Sequence, residues 1–542
     1  MPQTAQTRAG TEIPAVGIDI GTCYARVAIL DGQGGLRLAA DRYGDRDIPA
    51  VVRYTMHGAQ VGYYPERFLV TDWENSVQGA PRFLGRYADL PPAVLAAAPF
   101  PIYEEGGRAR FNLLYTTSGP EEVYTHLIRH LVGLASAELG QPVRAVVLTV
   151  PAAAEDRARV SVQAALAAAG IELIRIVNAP TAALLALRRL CPGDTRLRAG
   201  VVALVDMGGG STDVSIARLS ANGVTILATA GDPYLGGVEL RERLAAGVRA
   251  RWAAAGRPLP AAAGGSRTGP LALRRAADET MVALTSAEQA DLLLDHGAGF
   301  GRDLWTQVAR TDFEGWIAPD LVRLASLCGR ALRMAGLPAS ALDGVALAGG
   351  CAQIPVVQRT VAAAFAVRVS SLIVREPTAL VAYGAALQAG IALGRVAEQV
   401  QDVTPYPLGI SAYNAPYPAG MEVFSSVVRR GTPIPSAAPG RPGACRRLFY
   451  TRCVGQTDMT LRVLQYRGPH ILPGAGEVVA DDGLPIPPAA CETLGEWTLQ
   501  GIAPRGGVPV AVTFHIDAHG ILHLTAQEQG TRNVLRQAIS RW

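Results

Sequence analysis

An α/β fold built from a duplicated two-lobed unit, with a cleft between its halves and a β-sandwich behind it, is the architecture the sequence predicts. Three observations carry the prediction. The chain has 542 residues, too many for one compact core, so two or more domains are expected. A strand ending in aspartate, a Gly-rich turn with a hydroxyl residue and a second strand occur at Asp19 and again at Asp206. After Asp402 the helical periodicity stops, and short alternating runs between Pro/Gly clusters take over.

The elements follow in chain order. AVGIDIGTCYARVAIL (15–30) reads as two strands around a Gly-containing turn, and VRAVVLTV (143–150) as a buried strand. The Ala-rich amphipathic stretch from Ala153 to Ala169 predicts a helix ended by Gly170. IELIRIV (171–177) predicts another strand, and PTAALLALRRL (180–190) a helix with Pro180 in its first turn. VVALVDMGGGSTDVSIARL (201–219) repeats the N-terminal pattern. Residues 253–270, rich in Pro, Gly and Ala, read as a mobile surface loop, and a last α/β segment runs from Val345 to Gly394. The domain prediction is 1–394, a linker at 395–402, and a β-sandwich over 403–542. Its clearest hairpin is VPVAVTFHIDAHGILHLTA, turning at Asp517–Gly520.

Composition narrows the function. A hydrophobic fraction of 49% with 18% charged residues excludes a disordered chain. The net charge of +4, without a basic run interleaved with aromatics, argues against nucleic acid as a partner. The N-terminus lacks the pattern of a signal peptide, and no window has the apolar length to span a bilayer, so no membrane is expected and the cytoplasm is the expected compartment. Seven scattered cysteines without a C-x-x-C argue against a disulfide framework and a zinc site. The chain contains no lysine: all 50 basic residues are arginine, so no lysine ammonium can serve any site.

The two Gly-rich turns have a chemical logic. Glycine lets backbone N–H groups approach phosphate oxygens, and consecutive N–H groups form an anion nest. Aspartates at the strand ends can hold a hydrated Mg²⁺, and hydroxyls such as Thr22 and Ser211 can orient phosphate or water. The ordered set GIDIGTCYA (17–25), VPAAAEDRARV (150–160), RIVNAPTAA (175–183), DMGGGSTDVSI (206–216), GDPYLGGVEL (231–240), AGGCAQIP (348–355), VAYGAALQA (381–389) and DVTPYPLGI (402–410) resembles the Hsp70 chaperones over nearly the whole chain.

The resemblance implies an actin/Hsp70-type ATPase domain that binds ATP/ADP with Mg²⁺. It places Asp19, Gly21, Thr22, Cys23 and Tyr24 on one side of the phosphates and metal. Gly208, Gly209, Gly210, Gly236 and Gly237 face them, with Gly349 and Gly350 near the nucleoside. Asp213, Asp206 and Ser211 become the catalytic candidates, with Asp19 and Asp206 holding the metal through water. Pro151 and Arg159 match the family's proline switch and arginine relay.

Several positions depart from the family pattern. Pro81 stands where the family has a lysine that supports phosphoryl transfer, with Arg82 and Arg86 nearby as stand-ins, and Ala179 replaces a glutamate that organises the metal's water shell. Gln353, Met281 and Val282 replace basic residues around the adenine, while Asp278 keeps the acid. Weak or slow hydrolysis is therefore expected. The linker AEQVQ (397–401) is nearly all polar, so little hydrophobic docking and weak interdomain coupling are expected.

For the β domain the resemblance implies a peptide cleft with Ile410, Phe449, Met459 and Leu461 at the pocket and Tyr413 and Arg452 forming an arch over the peptide. The chain ends at Trp542, which leaves no room for a helical lid, so rapid peptide exchange is expected; a Pro/Gly-rich loop between Arg467 and Glu496 has no reading. Expected partners are unfolded polypeptides or one dedicated protein client, a J-domain protein and a nucleotide-exchange factor, with the protein itself a monomer. One alternative is a catalytically degenerate pseudo-ATPase acting as a partner-binding scaffold. Another actin-fold protein, such as a sugar kinase or a filament former, is disfavoured by the appended β domain.

Overall fold

The computed structural model describes residues 13–539 except 86, 153, 155, 257–258, 260–266, 295–302, 405, 415–419 and 467–485. Arg86, half of the predicted 253–270 loop and most of the 467–496 loop lie outside the described residues.

The first lobe is built on β1 (Ala15–Ile20), β2 (Tyr24–Leu30) and β3 (Leu36–Leu38), followed across the lobe by α1 (Pro120–Leu139), β4 (Ala145–Val150), α2 (Asp156–Ala169) and β5 (Glu172–Asn178). Its sheet order is β5-β4-β1-β2-β3, with β4 parallel to β1 and β2 antiparallel to it. β1 and β4 are buried along almost their whole length, as expected of strands covered on both faces. Gly170 ends α2 with a positive φ of 78°. Among the described residues that helix runs Asp156–Ala169; Ala153, where the Ala-rich pattern places its start, lies outside the described residues.

The second lobe repeats this plan after α3 (Ala179–Leu190). It contains β6 (Gly200–Met207), β7 (Thr212–Ser220), β8 (Gly223–Asp232), α4 (Gly237–Ala254), α5 (Thr268–Ala283), α6 (Ala318–Ala335) and β9 (Gly344–Ala348), closed by α7 (Leu380–Ala392). β9 lies parallel to β6, while β7 lies antiparallel to it, the same relation as β4, β1 and β2. The duplication predicted from the two Asp–Gly turns is therefore present in the strand order itself. α7 sits between the lobes, and two glycines permit the contact. A Cβ on Gly17 would fall 2.1 Å from the Ala386 nitrogen, and one on Gly384 would fall 1.8 Å from the Ala182 carbonyl oxygen.

β10 (Gln399–Val403) joins the domains. Beyond it, β11 (Leu408–Tyr413), β12 (Glu422–Val428), β13 (Cys445–Tyr450), β14 (Met459–Gln465), β15 (Glu492–Leu499), β16 (Pro509–Ile516), β17 (Leu522–Glu528) and β18 (Val534–Ala538) form two four-stranded sheets, ordered β12-β11-β14-β15 and β13-β16-β17-β18. Their inner faces share a core that includes Leu461, Val463, Val512, Phe514 and Leu524.

The linker does not behave as its polarity predicts. β10 adds to the second lobe's sheet, parallel to β8, with Gly223, Val224 and Thr225 opposite Gln399, Val400 and Gln401. Its far end pairs with Pro433–Ile434 of the β domain. Strand addition uses backbone N–H and C=O groups, so it needs no apolar side chains. The register requires a glycine at 223, where φ is +149° and a Cβ would lie 1.8 Å from the Gln399 carbonyl oxygen. Asp402 is buried at the junction and accepts a hydrogen bond from Thr181 Oγ1 at 3.0 Å; burial pushes its carboxyl above the usual range.

Candidate functional site

The two Asp–Gly turns face each other across the cleft. Asp19 leaves β1 into a tight turn in which the Gly21 N–H donates to the Tyr24 carbonyl at 3.0 Å. Its carboxylate accepts from Thr149 Oγ1 at 2.8 Å, and burial raises its pKa against the lowering effect of Arg26 and that hydrogen bond. Asp206 and Asp213 are direct partners in the β6–β7 hairpin. Asp213 accepts from the Ala152 N–H at 2.9 Å, so the corner after Pro151 is tied to this carboxylate. Asp206 is pushed up to about 8, first by burial and then by Asp213 and Asp19. Three carboxylates thus converge in a buried space, and their mutual repulsion favours a proton or a cation there.

The glycines make room around them. In the second turn the Gly208 N–H donates to the Ser211 carbonyl at 3.0 Å. A Cβ on Gly210 would fall 2.3 Å from Thr22 Oγ1, and one on Gly209 would fall 2.7 Å from Cys23 Sγ. Gly236 and Gly237 pack behind this turn: the Gly237 N–H donates to the Gly208 carbonyl at 3.0 Å, and Val238 N–H to Gly209 at 2.7 Å. Gly349 has φ +84°, and a Cβ there would lie 2.2 Å from the Met207 carbonyl oxygen. Gly350 opens the short turn 350–353, from which Cys351 Sγ donates to the Gly208 carbonyl at 3.3 Å. Cys23 is half-buried beside Gly209, whereas Tyr24, at the start of β2, is 40% exposed.

The departures from the family pattern also have locations. Pro81 lies in a short turn, 80–83, that begins after Gly79, and Gly79 packs against Thr22. Arg82 crosses the cleft to Glu239 on α4 at 2.5 Å and lies 5.6 Å from the Tyr234 ring. Both partners are largely buried, yet Arg82 Nε and Glu239 Oε2 have no hydrogen-bond partner among the described residues. Beside them Arg241 pairs with Asp278 at 3.1 Å and with Glu242 at 3.2 Å. Sequence reading missed the Glu239 and Arg241 partnerships. The lysine-free composition was the available signal, since any cation in this cleft has to be arginine. Ala179 is buried at the start of α3. Met281 packs against the second lobe's core, whereas Val282 is 66% exposed and Gln353 is exposed.

A groove of about 1330 Å³ opens in the β domain. Ile410, Phe449, Met459, Leu461, Tyr413 and Arg452 all line it. Ile410, Met459 and Leu461 are buried floor residues of the sandwich core, and Phe449 is half-buried above them. The Arg452 guanidinium stacks over the Tyr413 ring at 3.6 Å, which bridges the groove from above.

Arg159 lies between the two sites. It donates to Asn178 on β5 and, at 3.4 Å, to the His519 carbonyl in the hairpin turn of the β domain. Arg157 on the same helix donates to the carbonyls of Thr493 at 3.0 Å and Leu494 at 2.8 Å. Ala152, bonded to Asp213, lies at the entrance to that helix. Asp213 and the β domain are therefore contacted from two ends of one short segment.

A family model described as Hsp70 protein matches residues 15–541. The chain is 32% identical over 526 residues to a protein named Chaperone protein HscA homolog from Shewanella amazonensis, covering 95% of this chain and 76% of that one. It is similarly 32% identical, with the same coverage, to the homologue of that name from Azoarcus sp. and to Chaperone protein HscA from Pectobacterium carotovorum. With a family match along nearly its whole length and relatives at this identity, the chain belongs to the Hsp70 family.

Proposed function

We propose that this protein is an ATP-binding chaperone that grips exposed apolar segments of unfolded polypeptides and turns nucleotide over slowly. The observation that carries the reading is the convergence of Asp19, Asp206 and Asp213 between the Gly208–Gly210 turn and Thr22. This donor set fits Mg²⁺ with ATP or ADP. Among the described residues no three His, Cys, Asp or Glu side chains could hold an ion directly, so Asp19 and Asp206 would hold it through its water shell. The bound metal would supply charge neutralisation at the phosphates. The chain's own residues would do the rest. The backbone at 21–24 and 208–211 would cradle phosphate, Ser211 and Asp213 would orient water, and Arg82 would be a candidate stand-in for the missing lysine.

Slow hydrolysis is supported by Pro81 and Ala179, which provide neither charge nor hydrogen-bond donor. The same two residues favour a second reading, a pseudo-ATPase scaffold for one partner. In both readings the groove beneath Tyr413 and Arg452 takes the peptide, and Pro151 and Arg159 couple it to nucleotide. A J-domain protein and a nucleotide-exchange factor are the proposed partners of a monomeric, cytoplasmic protein. No described helix is long and apolar enough to cross a membrane.

Calorimetric titration with Mg²⁺–ATP, beside the Asp206→Ala variant, tests the reading. Binding in the wild type that is lost in the variant supports it, and single-turnover hydrolysis then separates chaperone from scaffold. No heat with a folded wild-type protein refutes the nucleotide site.

A further inference from the structure

The charge around the peptide groove is uneven. Among the described residues five arginines line it (Arg429, Arg446, Arg447, Arg452 and Arg462), against two carboxylates, Glu422 and Glu496. One carboxylate is already committed, because Glu422 pairs with Arg462 at 2.6 Å. Arg452 is held over Tyr413, and Arg447 donates to the Ser426 carbonyl at 3.0 Å, which closes the groove at that end. Arg429 and Arg446 are exposed, and among the described residues neither side chain has an ion pair or hydrogen bond. Among the described residues that line the groove, Glu496 is the carboxylate left to oppose Arg429 and Arg446.

The strand geometry tells an occupant where to put its charges. β13 pairs only with β16 among the described residues, so its other edge is open along the groove. An extended segment lying along that edge advances about 3.3 Å per residue. Phe449 marks the apolar pocket, and Arg447 and Arg446 come two and three residues earlier on the same strand. A side chain two or three positions from the one in the pocket therefore meets guanidinium groups.

We propose that the groove selects extended peptides whose apolar anchor is flanked, two or three residues away, by Asp or Glu. This rests on the groove being the peptide site. A flanking carboxylate completes pairs that the protein leaves open, whereas a flanking Arg or Lys meets like charge with one glutamate to offset it. Exposed pairs are individually weak, so two of them, gained with acid and reversed with base, separate the two peptide classes by roughly tenfold in affinity.

The test uses the full chain and three fluorescein-labelled peptides with one shared leucine-containing core, flanked by Glu, Gln or Arg. Affinities are read by fluorescence anisotropy at low and high salt. The Glu-flanked peptide is expected to bind about tenfold tighter than the Arg-flanked one at low salt, with the gap narrowing at high salt. The double variant Arg429→Glu, Arg446→Glu, shown to be folded by circular dichroism, should abolish or invert the gap between the Glu- and Arg-flanked peptides. Equal or tighter binding of the Arg-flanked peptide overturns the charge preference, as does a gap that survives in the double variant. Failure of the Gln-flanked peptide to bind the wild type overturns the groove itself, and the preference with it.

Discussion

Replacing Gly223 by alanine should release the linker from the first domain. The new Cβ would sit 1.8 Å from the Gln399 carbonyl oxygen, and φ at +149° offers an L-residue no relaxed alternative. Ordinary contact requires β8 and β10 to move apart by more than about 1 Å. The Gln399 N–H bond to Asn222, now 2.8 Å, would stretch beyond hydrogen-bonding range, and its neighbours along the ladder would follow. Three such bonds at about 1 kcal/mol each amount to ~3 kcal/mol of docking free energy, or roughly a hundredfold in the closed-to-open ratio. The edge is near solvent, so the freed groups rehydrate and the rest of the sheet stays folded. Amide hydrogen exchange reads this directly. Protection at residues 399–401 should fall about a hundredfold, while the buried strand Ala145–Val150 keeps its own. Unchanged protection at 399–401 would refute strand addition as the docking force, and equal loss in both segments would refute the claim that the linker opens separately.

Three further outcomes are expected. Asp206 has a raised pKa in the fold, so between the ordinary carboxylate range and about 8 the native state binds more protons than the unfolded chain, and metal-free stability falls as pH rises. From pH 6 to 8 the slope of about 1.4 kcal/mol per unit gives Asp206→Asn a relative gain of about 2–3 kcal/mol, read as denaturation midpoints in EDTA; parallel pH profiles for the two proteins would contradict this. Arg452→Ala removes the stack on Tyr413, worth about 1 kcal/mol, and should speed peptide release roughly fivefold in stopped-flow anisotropy without changing the melting temperature. The double variant Pro81→Lys, Ala179→Glu should raise single-turnover ATP hydrolysis at least about tenfold if these two positions limit the rate; no change would assign the limit elsewhere in the cleft.

Much of the fold was legible because it is written in local patterns. The Asp19 and Asp206 hairpins announce themselves through apolar alternation broken by glycine, and Gly170 and Pro180 mark a helix end and a helix start. The hairpin at Asp517–Gly520 needs no distant partner to be recognised. The linker was misread because its docking uses backbone groups, which have no side-chain signature, and because the demand for glycine at 223 comes from a strand far along the chain. The Arg82–Glu239 and Arg241–Asp278 pairs were invisible for a related reason: each joins positions far apart in sequence, and an arginine in isolation reads as a solvated charge. In the β domain, apolar pocket positions could be read from spacing, but the imbalance of guanidinium over carboxylate around them appears only when five strands are assembled.

One sheet in this protein contains strands from both sides of the domain boundary, since β8 holds β10 and β10 holds Pro433–Ile434. Such a sheet cannot lose either domain without stripping the neighbour's ladder. The cooperative unit is therefore larger than either domain: melting should register as one calorimetric transition, and uncoupling into two should follow when the shared strand is freed. The thermodynamic boundary of the molecule falls wherever that strand is lodged, and it moves when the strand does.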